Sequence, residues 1–225
     1  MKILVVIALI LLGMYGCYHV AVPSATIHYK LTLIVDDNGK QISGSSVVQV
    51  YREDTTKVFS GIGGYGGEFK GEAVVVDLGQ KGVLFALLKG DPTRTENYGS
   101  SEPLFIALRA FAKSGNVIDN MRQLNKDKPE TNLDFDLVPM LVRFRDINDP
   151  KTVELVDPND LEKTFGKGVK LTSATIKITD EKITTIVNKY MPPFDEKTGY
   201  LEWFRSLPYG DSRKIGPYDF IAGVK

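Results

Sequence analysis

The first stretch of the chain is apolar without interruption. After a single basic residue, Lys2, positions Ile3 to Leu12 are all apolar, and no charged side chain occurs between Lys2 and Lys30. From Ile27 the period changes to two. Ile27, Tyr29, Leu31, Leu33 and Val35 alternate with His28, Lys30, Thr32, Ile34 and Asp36, the pattern of a half-buried strand. Asp37-Asn38-Gly39-Lys40 comes next as a turn, because Asn and Gly accept positive φ at little cost. A second strand over Gln41 to Arg52 places Val48 and Val50 on one face and Val47 and Tyr51 on the other. A second hairpin runs through Glu72 to Leu78, turns at Gly79-Gln80-Lys81-Gly82 and returns as Val83 to Leu88. Its unbroken apolar runs predict strands covered on both faces.

Helical signals come next. Ser101 is placed to cap a helix opening with Glu102-Pro103-Leu104, with Leu104, Phe105, Leu108 and Phe111 as its apolar stripe and Gly115 as its stop. A second short helix spans Val117 to Leu124, and Asn125 to Asn132 reads as a loop. Leu137 to Arg145 is a candidate strand, with Pro139 limiting how central its start can be. Further on, Asp157-Pro158 opens a helical turn closed by Gly166, and Val169 to Thr179 is a strand with Ala174, Ile176 and Ile178 on one face. Ile183, Ile186, Val187 and Tyr190 then fit a helical stripe capped by Asp180 and ended by Pro192-Pro193. Gly199 to Leu207 is the last helical segment.

These elements define an α+β fold: an antiparallel sheet or small sandwich with several short helices, preceded by an N-terminal hydrophobic signal or anchor helix. The expected organisation is a signal peptide or membrane anchor over 1–22 and one exported domain over 26–225, with a division into two lobes near 125–135 as the variant.

Composition narrows the function classes. The chain has 225 residues, 43% of them hydrophobic, enough to fill a core. Its 28 basic and 28 acidic residues cancel, so no overall charge favours nucleic acid. The single cysteine, Cys17, excludes an intrachain disulfide framework. Cys17 comes after the apolar run and Gly16, and so stands where a lipoprotein signal carries its lipid-attachment cysteine. Tyr15 is bulky for that motif. The alternatives are an uncleaved transmembrane helix, since Ile3 to Ala21 approaches the about 20 residues that span a bilayer, and plain secretion with cleavage. In the leading cases Lys2 stays inside and the domain faces the periplasm or exterior, at the cell membrane or outer membrane.

Side chains that carry chemistry are sparse. His19 and His28 are the only histidines, and no G-x-S-x-G turn accompanies them, so no histidine-based triad is expected. Asp134-Phe135-Asp136 and Asp146-Ile147-Asn148-Asp149 offer oxygen atoms without an EF-hand spacing, and no metal or other cofactor is expected. Gly61 to Gly67 matches G-x-G-x-x-G in letters, but Glu68 to Val74 leads into a strand and not into the helix that a dinucleotide site requires. Trp203, Tyr200 and Phe204 fit a sugar-lined groove and an ordinary packing stripe equally well.

Phe144-Arg145-Asp146, Asp149 to Glu154, Val156-Asp157-Pro158, Asp160-Leu161, Phe165-Gly166, Gly168-Val169 and Ala174 to Asp180, with Gly44 to Val50 and Gly71 to Gly79 earlier, resemble a group of uncharacterised bacterial exported or membrane-associated proteins of unknown function. The resemblance implies one architectural unit and supplies no activity, ligand or site. The reading is therefore a membrane-tethered envelope protein with a non-catalytic domain that binds an envelope protein partner or a ligand, with a carboxylate-dependent envelope hydrolase acting on a glycan as the alternative. For the fold, the predicted stripe makes Leu108→Asp a test. A carboxylate there is expected to unfold the domain or lower its melting temperature sharply, and an unchanged melting curve would place Leu108 in solvent.

Overall fold

The computed structural model of the chain describes residues 4–7, 9–11, 13, 22–56, 63–93 and 102–224. Its spine is a long hairpin of β1 (Ser24–Asp37) and β2 (Lys40–Asp54), antiparallel and in register from Ser24↔Glu53 to Asp37↔Lys40. Asn38 and Gly39 make the turn with φ of 53° and 90°, and the Asp36 carboxylate accepts the Gly39 amide at 3.0 Å. The tip docks on the chain ahead of β9 (Val169–Thr179), where the Asn38 amide donates to the Gly168 carbonyl at 3.1 Å.

β3 (Tyr65–Glu72), β6 (Glu130–Asn132) and β10 (Ile221–Ala222) complete an antiparallel sheet of order β10-β3-β2-β1-β9-β6. A second sheet of order β4-β5-β7-β8 is formed by β4 (Val74–Asp77), β5 (Val83–Ala86), β7 (Leu141–Phe144) and β8 (Val153–Leu155). Only Ala73 separates β3 from β4, so the chain changes sheets at that one residue, as strands do at the corner of a sandwich. The two sheets approach closely at Gly44, where a Cβ would lie 1.9 Å from the Val75 carbonyl oxygen.

Two cores result. The first gathers Ile27, Tyr29, Leu31, Leu33 and Val35 of β1, Ala174, Ile176 and Ile178 of β9, and Val74, Val76 and Leu84 of the small sheet. The helix Val117–Asp127 joins this core with Met121 and Leu124. Asn116 caps it, accepting the amides of Ile118 and Asp119. The second core lies on the other face of the small sheet and collects Val75, Phe85, Val142 and Phe144 with Val187, Ile215 and Phe220 of the C-terminal arm, residues 180–224 after β9. The small sheet is thus covered on both faces, which is why its strands read as unbroken apolar runs.

Several elements differ from the pattern. In β9 the pairing with β1 slips between Ile34 and Val35, so Thr172 is an extra residue and its hydroxyl donates to the Ile34 carbonyl at 3.1 Å. The bulge lets Val169 and Leu171 share the buried face with Ala174, despite the change of parity. The helix after Pro103 is confined to Ile106–Ala110. Its fully buried residues are Ile106 and Ala107, whereas Leu104, Leu108 and Phe111 are half-buried, so a charge at Leu108 is less costly than one at Ile106. The second helix continues to Asp127, and part of the expected loop pairs as β6. Leu137 and Pro139 precede β7, and Phe135–Leu137 form a 3-10 turn instead.

The largest departure is the segment after β9. No helix forms over 180–190: residues 180–186 belong to no helix or strand and only Val187–Lys189 make a 3-10 turn. Ile183-Thr184-Thr185-Ile186-Val187 is a β-branched run, poor in helix propensity. Its polar groups are claimed by the sheet instead. Glu181 binds His28 Nδ1 through its carbonyl and Lys30 Nζ through its carboxylate, both at 2.9 Å. The Thr184 hydroxyl accepts the Val47 amide at 3.2 Å. The Glu72 carboxylate, fully buried, accepts the Ile186 amide at 2.9 Å and the Val187 amide at 2.8 Å. The arm therefore crosses the outer face of β1 and β2 and reaches the β3–β4 corner.

Glu72→Gln is expected to destabilise the domain by about 2 kcal/mol. The amide group keeps one acceptor and turns a donor toward the second backbone N–H. Urea denaturation checks the value, and limited proteolysis should show earliest cutting within 180–190. A variant of unchanged midpoint would mean that the arm is held by its apolar contacts alone.

Candidate functional site

The N-terminal segment and the domain meet at one end of the large sheet. Residues 4–7, 9–11 and 13 are helical, and their apolar side chains lie exposed, from 48% at Ile7 to 72% at Leu4. Among the described residues no helix is long and apolar enough to cross a membrane. Cys17, the one residue given a specific chemical role, lies outside the described residues. The chain enters the domain at Val22, which is buried, and Pro23, whose carbonyl accepts the Asp54 amide at 2.9 Å. The Ser24 carbonyl accepts from the Arg122 guanidinium at 3.2 Å. The end of β2 and the start of β3 thus sit beside the point of attachment.

A buried cation occupies this end. Arg52 continues the line of Val48 and Val50 on the core-facing side of β2, and only 5% of it is exposed. Opposite it in β3 is Gly67, where a Cβ would lie 2.6 Å from Arg52 Cδ, so glycine makes room for the side chain. The Phe105 ring lies 5.0 Å from the guanidinium carbon, in cation–π range. Arg52 Nε is buried without a hydrogen-bond partner, and Arg52 makes no ion pair among the described residues. Burial holds the guanidinium below its ordinary value, with the Tyr65 phenol opposing this, yet an arginine stays charged under any working condition. Asp54, two residues along the same face, turns its carboxylate to the Thr56 amide at 3.0 Å and the Thr56 hydroxyl at 2.5 Å. Glu53 belongs to the opposite face and accepts the Tyr51 hydroxyl at 2.9 Å.

This arginine escapes a reading by motif. The signal for it is positional: a charge at the apolar parity of a strand, Val48-x-Val50-x-Arg52.

The acids are distributed as structural groups. Burial raises the carboxyls of Glu102 and Asp219 above the ordinary range, and Lys89 opposes the shift in both. Asp219 accepts the Gly216 amide at 2.7 Å, and Lys89 Nζ donates to the Lys214 carbonyl at 3.0 Å, so this group ties β5's exit to the C-terminal arm. Asp91 and Asp157 line one hollow of about 330 Å³, and each carboxylate is engaged in its own turn, with Thr93 and with Asn159. Asp146 accepts the Asn148 amide and Asp149 the Lys151 amide, so the oxygens of that stretch shape a turn. Among the described residues no group of three metal-binding side chains is present.

The remaining motifs resolve structurally. The Gly64 carbonyl accepts both the amide and the hydroxyl of Thr55, and the chain enters β3, not a helix, directly afterwards. Tyr200 is buried, packs against Phe194 at 4.9 Å and Trp203 at 5.9 Å, and donates its hydroxyl to the Ile215 carbonyl. These rings hold the arm together. Arg143 and Arg145 both reach Glu154, at 2.8 and 3.0 Å. His28 is half-exposed and bound to the arm.

No family model, no curated protein and no solved structure matches the chain.

Proposed function

We propose that the chain is a membrane-tethered envelope protein whose folded part has a binding role and carries out no catalysis. The observation that carries this is the exposure of seven apolar side chains, Leu4, Val5, Val6, Ile7, Leu9, Ile10 and Leu11, ahead of a domain whose cores do not use them. A fully exposed side chain of this kind gains about 1.5–3 kcal/mol on leaving water, so these partly exposed ones together favour an apolar surrounding by roughly 6–12 kcal/mol. A bilayer supplies that surrounding, and the basic Lys2 with no later charge before Lys30 sets the domain on the outer side.

The binding role is supported by the state of the polar side chains. Glu72, Asp91, Asp219 and His28 are each engaged in hydrogen bonds that hold the backbone together. A partner in the envelope, or a ligand displayed by it, is the object of binding.

In this reading Cys17 carries the lipid: its thiol becomes a diacylglycerol thioether and the chain is cut before it. Several acyl chains then anchor the protein, each buried CH₂ contributing about 0.8 kcal/mol. Cys17→Ser is expected to abolish labelling by a fatty-acid analogue and to leave a precursor heavier by residues 1–16. Intact mass of the wild-type protein checks the same point, since a mature chain that retains Met1 or Lys2 would overturn lipidation in favour of an uncleaved helix. Recovery of the wild-type chain in the soluble fraction after lysis would overturn the tether itself.

A further inference from the structure

We infer that the hollow between the β4–β5 turn, the end of β7 and the C-terminal arm binds a small organic carboxylate with an apolar body, its carboxylate held by Arg145 and Lys189. The inference deepens the binding role proposed above and rests on that reading; it draws nothing from the membrane tether.

Three separated stretches of chain build the walls. The hollow measures about 310 Å³, with Val83, Phe144, Ile147 and Tyr190 as its apolar lining and Arg145 and Lys189 as its charged groups. Phe144 is buried, and Val83, Ile147 and Tyr190 are half-buried against the second core, so these faces are fixed in place yet open to the hollow. The turn beside them is tight. The Gly82 amide donates to the Gly79 carbonyl at 3.0 Å, and the Leu78 amide donates to the Gly82 carbonyl at 2.9 Å. A Cβ at Gly79 or Gly82 would meet no atom within 4 Å, so the two glycines bound the hollow without filling it. The wall from the arm is held as firmly, since the Tyr190 amide donates to the Val187 carbonyl at 2.9 Å and the Glu72 carboxylate accepts the Val187 amide. The hollow therefore exists only where the arm is seated.

Charge selects the polar end of the ligand. Both charged residues of the lining are cations, and both are exposed. Lys189 makes no ion pair among the described residues. Arg145 Nε lies 3.0 Å from Glu154, a carboxylate that already accepts Arg143 Nε at 2.8 Å, so one acid faces two guanidiniums and positive charge is left over. The next acids along the chain are turned to the backbone, Asp146 to the Asn148 amide and Asp149 to the Lys151 amide. A guanidinium whose remaining donors are uncommitted takes a carboxylate through its planar fork. Size and lining select the rest. An apolar cavity of about 150 Å³ takes a benzene ring, so this hollow has room for a ring, a short chain and a carboxylate. An inorganic anion would engage the cations and leave Val83, Ile147 and Tyr190 uncovered.

The test titrates the full chain, in an uncharged maltoside detergent with empty micelles as the blank, with hydrocinnamate, with hydrocinnamyl alcohol and with acetate. Calorimetry gives the affinity, and the methyl resonances of Val83 and Ile147 report the place. Hydrocinnamate is expected to bind and to shift both residues. The alcohol lacks the charge and acetate lacks the ring, and each is expected to bind more weakly by about tenfold or more. Replacing both cations, Arg145→Gln with Lys189→Gln, should weaken hydrocinnamate by about tenfold or more and leave the melting temperature unchanged, because both side chains are exposed and Arg143 keeps Glu154. Lys126→Gln removes an exposed charge from the helix Val117–Asp127 and should bind as the wild type does. Should the double variant fail to fold, Arg145→Lys, which retains the charge without the fork, is expected to bind measurably less well. Equal affinity of the wild type and a folded cation variant overturns the inference, as does equal binding of the alcohol or an absence of shifts at Val83 and Ile147. The ligand is recovered after incubation and its mass measured. Unchanged ligand without binding that depends on Arg145 and Lys189 sinks this inference alone, whereas conversion that depends on them overturns the non-catalytic reading and keeps the site.

Discussion

Glu72 is the residue on which the two-sheet arrangement depends. Its backbone pairs with Ile221 in the last strand, while its buried carboxylate receives the amides of Ile186 and Val187, so one residue fastens both the start and the end of the C-terminal arm. The arm supplies Val187, Ile215 and Phe220 to the second core. Without it, Val75, Phe85, Val142 and Phe144 would face water, a loss on the order of 1.5–3 kcal/mol for each large side chain. A carboxylate at such a depth is tolerable because charge-assisted hydrogen bonds to backbone N–H groups replace its hydration. The exchange also meets a need of the arm, whose residues 180–186 belong to no helix or strand in which to place their amides.

The same corner explains how one chain forms two sheets. β3 pairs with β2 as far as Lys70; Gly71 and Glu72 pair with β10, and the strand then bends at Ala73, whose amide goes to the Phe220 carbonyl at 2.8 Å. Leaving the large sheet exposes the β2 edge from Val47 onward. Thr184 takes the Val47 amide, and β4 crosses near Gly44, where the missing side chain permits backbone contact. Edge amides are thereby covered by parts of the same chain and are not left as a template for another copy.

Local pattern carried the long strands well. Alternation over Ile27–Val35 and the Asn38–Gly39 turn correspond to the β1–β2 hairpin, and Val169 to Thr179 is a strand over its whole expected length. Failure begins where distant groups decide. The stripe Ile183, Ile186, Val187, Tyr190 has helical spacing, but the acceptors for its amides lie on Glu72, more than a hundred residues earlier, and its β-branched run gives a helix little intrinsic advantage. The bulge at Thr172 is likewise invisible in the sequence, because it is set by the register with β1. Of the candidate site, Arg52 was visible as a strand residue only. Its importance depends on Phe105 and Gly67 closing around it, and neither is near it in sequence terms that a motif would capture.

Glu72 and Arg52 are both charged residues on strands that otherwise bury apolar side chains, and the fold treats them oppositely. The carboxylate is completed by two backbone donors and acts as a structural clamp. The guanidinium is enclosed to nearly the same degree, yet one of its donors is left without a protein acceptor. An apolar residue in place of Arg52 would continue the Val48 and Val50 stripe and avoid the several kcal/mol that an incompletely paired buried ion costs. Stability alone therefore gives no reason for arginine at this position.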